Sequence, residues 1–207
     1  MKKITLIALL FMGIFLNSKA QSIEFTPLAG YTFGDNINFN GGKAHLDGGF
    51  KWGGALTICA SQYNAIEFTY TRQLSNATAE ATVPGTGFKN IDTPVAVNYV
   101  LVGGTRLMPV SEKVNMFGGM QMGIGIFGSP DDKFNSVTKF DFGFNGGAKI
   151  WFSEKIGLRL QANIDFPVTS NGGYYWWNPA TGQTYGVTSF IPIVQFGFTG
   201  GLIFKIR

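Results

Sequence analysis

The chain has 207 residues, enough for one domain, and only 14% of them are charged, well below the roughly 25% of soluble globular proteins. Gly and Phe are abundant, with 29 and 20 copies, and no apolar run is long enough for a membrane-spanning helix. The formal net charge of +4 falls to +1 without Lys2, Lys3 and Lys19, because 13 basic residues then face 12 acidic ones. These values argue against a helical membrane bundle and give no electrostatic basis for a nucleic-acid partner.

Residues 1–20 are predicted to form a cleaved secretory signal peptide. Lys2 and Lys3 are followed by the apolar residues 4–16, a run shorter than the roughly 20 residues that a spanning helix needs. Ser18 and Ala20 place small side chains at the positions that signal peptidase reads, so cleavage is expected before Gln21. A retained membrane anchor is the alternative. Residues 21–207 are predicted to form one β-barrel domain.

An alternation of period two recurs along the rest of the chain and predicts strands. In residues 139–152, for example, Phe140 and Phe142 alternate with Lys139 and Asp141. Eight strands are predicted, at residues 22–33, 48–61, 64–75, 93–108, 114–128, 137–153, 155–167 and 189–206. Many of them have 12 or more residues, whereas soluble strands average about 5–6 and tilted membrane strands need about 9–11.

The predicted connections alternate between long and short. The long ones are residues 34–47, 76–92, 129–136 and 168–188, and the short ones are residues 62–63, 109–113 and 153–154. Outer-membrane barrels have this asymmetry, with short periplasmic turns and longer extracellular loops. The pattern therefore predicts a closed, eight-stranded, antiparallel, up-and-down transmembrane β-barrel with both termini on the periplasmic side.

The two faces of the predicted strands differ in bulk and charge. The apolar face carries large side chains that would overfill a narrow lumen but suit lipid contact, and a closed barrel satisfies every backbone group in hydrocarbon. The polar face mixes small residues with balanced charges, which must pair if they are buried. The predicted interior charge network consists of Glu24, Lys51, Glu67, Arg106, Asp141, Lys149, Arg159 and Asp165.

A few residue patterns are candidates for chemistry. His45, the only histidine, lies near Asp47 in the first predicted loop, but no serine occupies a recognisable nucleophile turn, so no catalytic residue is assigned. One histidine and one cysteine, Cys59, give no basis for a zinc site, and no metal or cofactor is expected. The adjacent carboxylates Asp131 and Asp132 are interpreted as a solvated turn rather than as a cation site.

Two further segments stand out. Residues 123–128 match the glycine spacing of a dinucleotide-binding turn, but a turn and not a helix follows, so nucleotide binding is not predicted. The last long loop contains a predicted aromatic patch, which either binds a partner or anchors the loop at the membrane interface. This patch consists of Tyr174, Tyr175, Trp176 and Trp177.

The last strand ends in a pattern of polar, glycine, aromatic and apolar residues at Thr199, Gly201, Phe204 and Ile206, followed by Arg207. This pattern is similar to the C-terminal assembly signal of outer-membrane barrels, although many of those end on an aromatic residue. Residues 22–207 as a whole resemble the eight-stranded outer-membrane β-barrel family of OmpX-like proteins. Residues 92–99 resemble the strand-opening segment of the PorT-like barrels of Bacteroidetes. The resemblance implies an outer-membrane location and recognition by the barrel-insertion machinery.

The sequence favours a structural, non-enzymatic outer-membrane protein with a plugged polar interior and surface loops for envelope integrity or surface contacts. The expected partners are outer-membrane lipids and lipopolysaccharide, around a monomer. Three alternatives remain open: a narrow channel or lateral path for small hydrophobic solutes, a lipid-modifying enzyme centred on His45, and a soluble periplasmic ligand-binding barrel.

Overall fold

The computed structural model describes residues 22–39, 42–81, 91–128, 130, 136–168, 174–177, 184–187 and 194–206. Several sequence predictions fall on residues outside this part, among them the signal peptide at residues 1–20, the turn at Asp131 and Asp132, and the chain end at Arg207. No helix in the described part of the chain is long and apolar enough to cross a membrane.

The described residues form twelve strands, eight of which make the barrel wall. The wall strands are β1 (Ser22–Thr32), β4 (Gly49–Cys59), β5 (Asn64–Ala81), β6 (Ile91–Pro109), β7 (Val114–Gly128), β8 (Val137–Trp151), β9 (Ile156–Val168) and β12 (Gln195–Lys205). Of the other four, β2 (Asp35–Phe39) and β3 (Gly42–Leu46) form a hairpin that continues the same sheet beside β5. Strands β10 (Tyr174–Trp177) and β11 (Thr184–Val187) form a separate hairpin.

Each wall strand pairs antiparallel with the next wall strand along the chain, and β12 pairs with β1 to close the barrel. Following the paired residues from Ser22 around all eight strands leads back to β1 at Thr32, ten residues further on. With the usual strand spacing and rise, this stagger corresponds to a strand tilt of about 40°. The predicted closed, eight-stranded, up-and-down barrel is confirmed.

Side chains alternate between a buried polar interior and an exposed apolar exterior. On β8, Phe140, Phe142 and Phe144 point outward with 37–45% of their surface exposed, whereas Asp141 and Lys149 are buried. The other wall strands expose Phe, Leu, Ile, Val and Met in the same way. This inverted polarity matches the prediction, because lipid chains rather than water then contact the apolar face.

The wall is taller at the long-loop end than the sequence indicated. Strand β5 extends to Ala81 rather than to residue 75, and β3, within the segment predicted as a connection, pairs with its extension. These segments lack a clear apolar alternation, because Leu46 and Ala77 are buried there among mainly small or polar residues, and the pairing of β3 with β5 holds them in the sheet. At the other end of the chain, β12 begins at Gln195, and residues 189–193 of the predicted strand lie outside the described residues.

Several interior glycines allow neighbouring strands to approach closely. A Cβ atom added to Gly103 on β6 would lie 2.0 Å from the carbonyl oxygen of Met120 on β7. At the adjacent Gly104, which points outward, nothing lies within 4 Å of an added Cβ. The strongly tilted wall therefore requires glycine at the inward position only.

Candidate functional site

Several charged side chains are buried in the lumen. Among them, the Arg159–Glu67 pair has the most hydrogen bonds. The guanidinium donates from Nη1 to Glu67 Oε2 at 2.5 Å and from Nη2 to Oε1 at 2.8 Å. Three further donors reach the same carboxylate: Thr57 Oγ1 at 2.8 Å, Gln121 Nε2 at 3.0 Å and Asn145 Nδ2 at 3.2 Å. A bidentate pair with this many donors compensates for removing both charges from water.

A second ion pair lies nearer the short turns. Lys149 Nζ is 2.5 Å from Glu24 Oε2, and the thiol of Cys59 donates to Glu24 Oε1 at 3.4 Å. The ring of Phe117 lies between the two pairs, with its centroid 4.4 Å from the Arg159 guanidinium and 5.8 Å from Lys149 Nζ. We call Glu24, Glu67, Lys149 and Arg159 the short-turn ion network.

A different set of polar groups fills the lumen toward the long loops. Lys51 Nζ is 2.7 Å from Asp165 Oδ2 and 5.0 Å from the ring centroid of Tyr99. The Tyr99 hydroxyl donates to Gln195 Oε1 at 2.7 Å. We call this set the long-loop polar cluster. It consists of Lys51, Gln73, Tyr99, Asp141, Asp165 and Gln195.

Asp141 is the exception among the buried charges. Its side chain is fully buried, yet neither carboxylate oxygen has a hydrogen-bond partner, and no ion pair reaches it in the described part of the chain. The interior that the structure describes holds four buried carboxylates and three buried cations, and the three cations each pair with one of the other carboxylates. Asp141 is thus the one buried carboxyl group of the described interior that has no partner.

Apolar side chains close the lumen above the long-loop polar cluster. Val95 and Val97 on β6, Leu46 on β3 and Phe127 on β7 are buried together there, with Tyr99 forming the boundary to the polar side. A smaller apolar cluster shares the short-turn end with the ion network. It consists of Cys59, Ala65, Leu107 and Phe117. We call the first group, which contains Leu46, Val95, Val97 and Phe127, the long-loop apolar plug.

Free space in the described lumen is small. Between the two charged regions lies a cavity of about 20 Å³, lined by Gln161, Asn163, Thr199 and their neighbours. Asn163 Oδ1 and Thr199 Oγ1 are buried there without a direct partner. This volume accommodates about one water molecule, which such polar atoms would bind.

At the short-turn end the barrel opens into a vestibule of about 670 Å³. Its lining carries Lys113, Lys155, Lys205, Glu112 and Glu154 from the turns and the last strand. Because the lining is charged and open to solvent, the vestibule is a wet mouth and not a ligand cavity of the usual apolar kind.

Seven of the eight residues predicted for the interior charge network lie in the lumen. Arg106 does not, and its interior assignment is corrected here: the side chain is exposed, donates to Asn64 Oδ1 at 2.9 Å and lies 5.1 Å from the ring of Tyr63. The inward residues of β6 are odd-numbered, and both faces of that strand are apolar. The period-two signal therefore could not fix which face Arg106 occupies.

The sequence interpretation also missed uncharged interior groups, among them Gln73, Tyr99 and Gln195. All three are buried in the lumen. Each of these residues occupies a position in the alternation that points inward, like charged residues on the same or a paired strand. Gln73 on β5, for example, lies directly opposite the inward-pointing Lys51 on β4. Assigning every position in step with the charged residues to the interior would have identified the glutamines.

The other predicted segments are placed as follows. Residues 174–177 form strand β10, whose backbone pairs with β11, and their side chains lie outside the described part. In the C-terminal pattern, Thr199 is buried in the lumen, whereas Phe204 and Ile206 are exposed on the outside. Added to Gly201, a Cβ atom would lie 1.7 Å from the carbonyl oxygen of Pro27, so only glycine fits there.

His45 lies on β3 and not in an irregular loop. Its Nδ1 is 2.7 Å from Asn36 Oδ1, and its Nε2 is 2.9 Å from Asp47 Oδ1. Both ring nitrogens are therefore engaged, and neither faces a nucleophile. Residues 123–128 lie within strand β7, which is not the strand–turn–helix context of a dinucleotide site. Among the described residues, no three His, Cys, Asp or Glu side chains are grouped to hold a metal ion.

No family model matches this sequence, and no curated protein matches it either. Solved structures do share the architecture. The crystal structure of Neisserial surface protein A covers 89% of this chain and 97% of its own, at 11% identity and a TM-score of 0.56. The crystal structure of outer membrane protein OprG from Pseudomonas aeruginosa covers 90% and 96%, at 9% identity and a TM-score of 0.59.

The chain has the fold of an eight-stranded outer-membrane β-barrel. Its outward apolar band and closed hydrogen-bonded wall are what a strand-built protein needs to cross a bilayer. The protein is therefore located in the bacterial outer membrane. In barrels of this kind the short turns face the periplasm, so we expect the vestibule at the periplasmic end and the long-loop apolar plug at the extracellular end.

Proposed function

We propose that this chain is a structural, non-enzymatic outer-membrane protein whose barrel is plugged. The observation that carries the proposal is the packing of the lumen: three buried ion pairs and their amide and hydroxyl partners fill it below the long-loop apolar plug. Moving a hydrated ion through this barrel would require breaking these pairs and wetting the plug. Each unpaired buried charge costs several kcal/mol, which makes the filled state a strong barrier.

The tall wall at the extracellular end is the part that would meet the surroundings. Strands β5 and β6 and the β2–β3 hairpin form a continuous sheet there, and a hairpin of β10 and β11 lies in the last long loop. This arrangement favours a role in envelope integrity or surface contacts. The expected partners are outer-membrane lipids and lipopolysaccharide, and the barrel-insertion machinery during assembly.

Within this fold class, we favour a relationship to OmpX-like proteins, and residues 92–99 point further to the PorT-like barrels of Bacteroidetes. We expect a monomer, because the eight described wall strands close on themselves through the pairing of β1 with β12. We also expect no enzymatic activity, which the lipid profiles of a His45 variant would test.

Planar-bilayer recording tests the plugged barrel directly. Purified protein inserted at neutral pH should show no steady single-channel conductance. The matched comparison is Glu67→Ala, which leaves the Arg159 guanidinium unpaired and should produce openings if ions can pass once the network is broken. Large, steady conductance of the unmodified protein would contradict the proposal.

A narrow channel or a lateral path for small hydrophobic solutes is the second candidate, and the periplasmic vestibule of about 670 Å³ is the observation that favours it. Liposome swelling separates the two functions. A plugged barrel leaves the swelling rate of proteoliposomes equal to that of protein-free liposomes, whereas a channel raises it for small solutes. Uptake of an apolar solute into the same vesicles tests the lateral path.

A further inference from the structure

Two arginines on the outer face of the wall are each paired with an asparagine on the neighbouring strand. Near the short turns, Arg106 on β6 lies directly opposite Asn64 on β5, and its Nη1 donates to Asn64 Oδ1 at 2.9 Å. Nearer the long loops, Arg72 on β5 lies opposite Asn98 on β6, and its Nη1 donates to Asn98 Oδ1 at 3.4 Å. The even-numbered residues of both strands point outward, so both cations lie on the surface that faces the bilayer.

The two pairs bracket an uncharged band of the wall. They are eight residues apart on both strands, from Asn64 to Arg72 and from Asn98 to Arg106. With the usual rise and the tilted strands, this spacing corresponds to about 20 Å along the barrel axis. The exposed residues between the pairs are Ile66, Phe68, Tyr70, Val100, Val102 and Gly104. Because the apolar band of outer-membrane barrels is about 25 Å tall and arginine stems extend toward the headgroups, each guanidinium lies at the level of lipid phosphates.

The surroundings of Arg106 hold its guanidinium in place but leave its charge unbalanced. The ring centroid of Tyr63 is 5.1 Å from the guanidinium, and Asn64 takes one of its five N–H donors. No ion pair reaches Arg106 in the described part of the chain. The wall beside it is bare, because a Cβ atom added to Gly104, or to Gly118 directly opposite on β7, would have no neighbour closer than 4.0 Å. A lipid that docks here meets a positioned cation next to a gap in the outward side chains.

We propose that Arg106, with Tyr63 and Asn64, binds the phosphate of an anionic glycerophospholipid in the periplasmic leaflet. The planar guanidinium matches two phosphate oxygens, and water alone would not balance its charge. Lipopolysaccharide is confined to the outer leaflet, so the lipids at the short-turn end are glycerophospholipids. An anionic headgroup is favoured over a zwitterionic one, which carries its own positive charge. The inference rests on the lipid contacts of the proposed function but not on the plugged lumen, so a conducting barrel would leave it standing.

Fluorescence quenching measures the headgroup preference beside the site. In a Cys59→Ala background, Met108→Cys places a fluorophore on the outer face two residues from Arg106, and Leu74→Cys places one equally close to Arg72. The labelled barrels are refolded in phosphatidylcholine vesicles that contain equal fractions of brominated phosphatidylglycerol or brominated phosphatidylcholine. At position 108 we expect phosphatidylglycerol to bind roughly fivefold better than phosphatidylcholine. Arg106→Gln should remove this preference at position 108 and leave the signal at position 74 unchanged, whereas Arg72→Gln should leave the preference at position 108 intact.

Lys113→Gln is the matched control, because it removes an exposed cation from the turn that follows β6. It should keep the preference at position 108, and like Arg106→Gln it changes an exposed side chain and should refold normally. Equal quenching by the two brominated lipids at position 108 of the otherwise unmodified barrel would overturn the proposal. Equal losses in Lys113→Gln and Arg106→Gln would also overturn it, because the preference would then come from the summed charge of the rim and not from a site at Arg106.

Discussion

Breaking the Arg159–Glu67 pair should destabilise the barrel more strongly when the acid is removed than when the base is removed. In Glu67→Gln the buried guanidinium loses its bidentate carboxylate and keeps Gln161 Oε1, to which Nε donates at 2.6 Å, and the face of Phe117. In Arg159→Met the carboxylate keeps Thr57 and two amide donors. Removal of one partner of a buried pair costs about 3–5 kcal/mol, so we place Glu67→Gln near the upper value and Arg159→Met near the lower one.

Equilibrium urea unfolding in vesicles, followed by tryptophan fluorescence, gives the free energy of unfolding for each variant. The double variant Glu67→Gln/Arg159→Met should lose less than Glu67→Gln alone, because no guanidinium then remains to be compensated. Exposed Glu112→Gln is the control and should change the free energy by less than about 0.5 kcal/mol. Single-variant losses under 1 kcal/mol, or strictly additive losses in the double variant, would refute the argument from buried pairing.

Three further predictions concern the wall and the surface. Gly103→Ala should lower the yield of refolded barrel in a gel-shift assay while Gly104→Ala folds normally, and equal yields would refute the close-approach argument. Phe142→Arg, at a lipid-facing position, should lower the free energy of unfolding by about 2–4 kcal/mol, whereas Arg106→Ala should change it by less than about 1 kcal/mol; the reverse order in urea titrations would contradict the assignment of faces. His45→Ala should leave lipid A and phospholipid profiles unchanged by mass spectrometry, and an altered profile would indicate an enzyme.

The fold could be predicted from the sequence because polar inward residues and apolar outward residues alternate along each strand of a membrane barrel, which gives a period-two pattern. On β8 the charged Asp141 and Lys149 mark the inward face and the phenylalanines mark the outward one, so parity and strand length together define the wall. Where both faces are apolar, as on β6, the alternation does not show which residues point inward. The interior position predicted for Arg106 is therefore wrong. Only the register with a neighbouring strand, such as the pairing of Arg106 with Asn64, decides its face.

The candidate site was less predictable than the wall. Inward parity identifies which charges share the lumen, but the pairing of Lys51 with Asp165 joins residues 114 positions apart and depends on the barrel's stagger. The unpartnered state of Asp141 depends on the same stagger. Likewise, the extension of β5 pairs with β3 through a segment in which, among the side chains described, only Leu46 and Ala77 are buried, so the sequence there shows no apolar alternation.

Spin labels placed along β8 test the inverted polarity most directly. In a variant with Cys59 replaced by alanine, single cysteines at positions 140, 142 and 144 are labelled, and the barrel is refolded in vesicles. The account predicts that all three labels collide frequently with lipid-dissolved oxygen and rarely with a water-soluble nickel chelate. Labels shielded from oxygen, or accessible mainly to nickel, would place the phenylalanines in the lumen or in water and would contradict a lipid-facing apolar band.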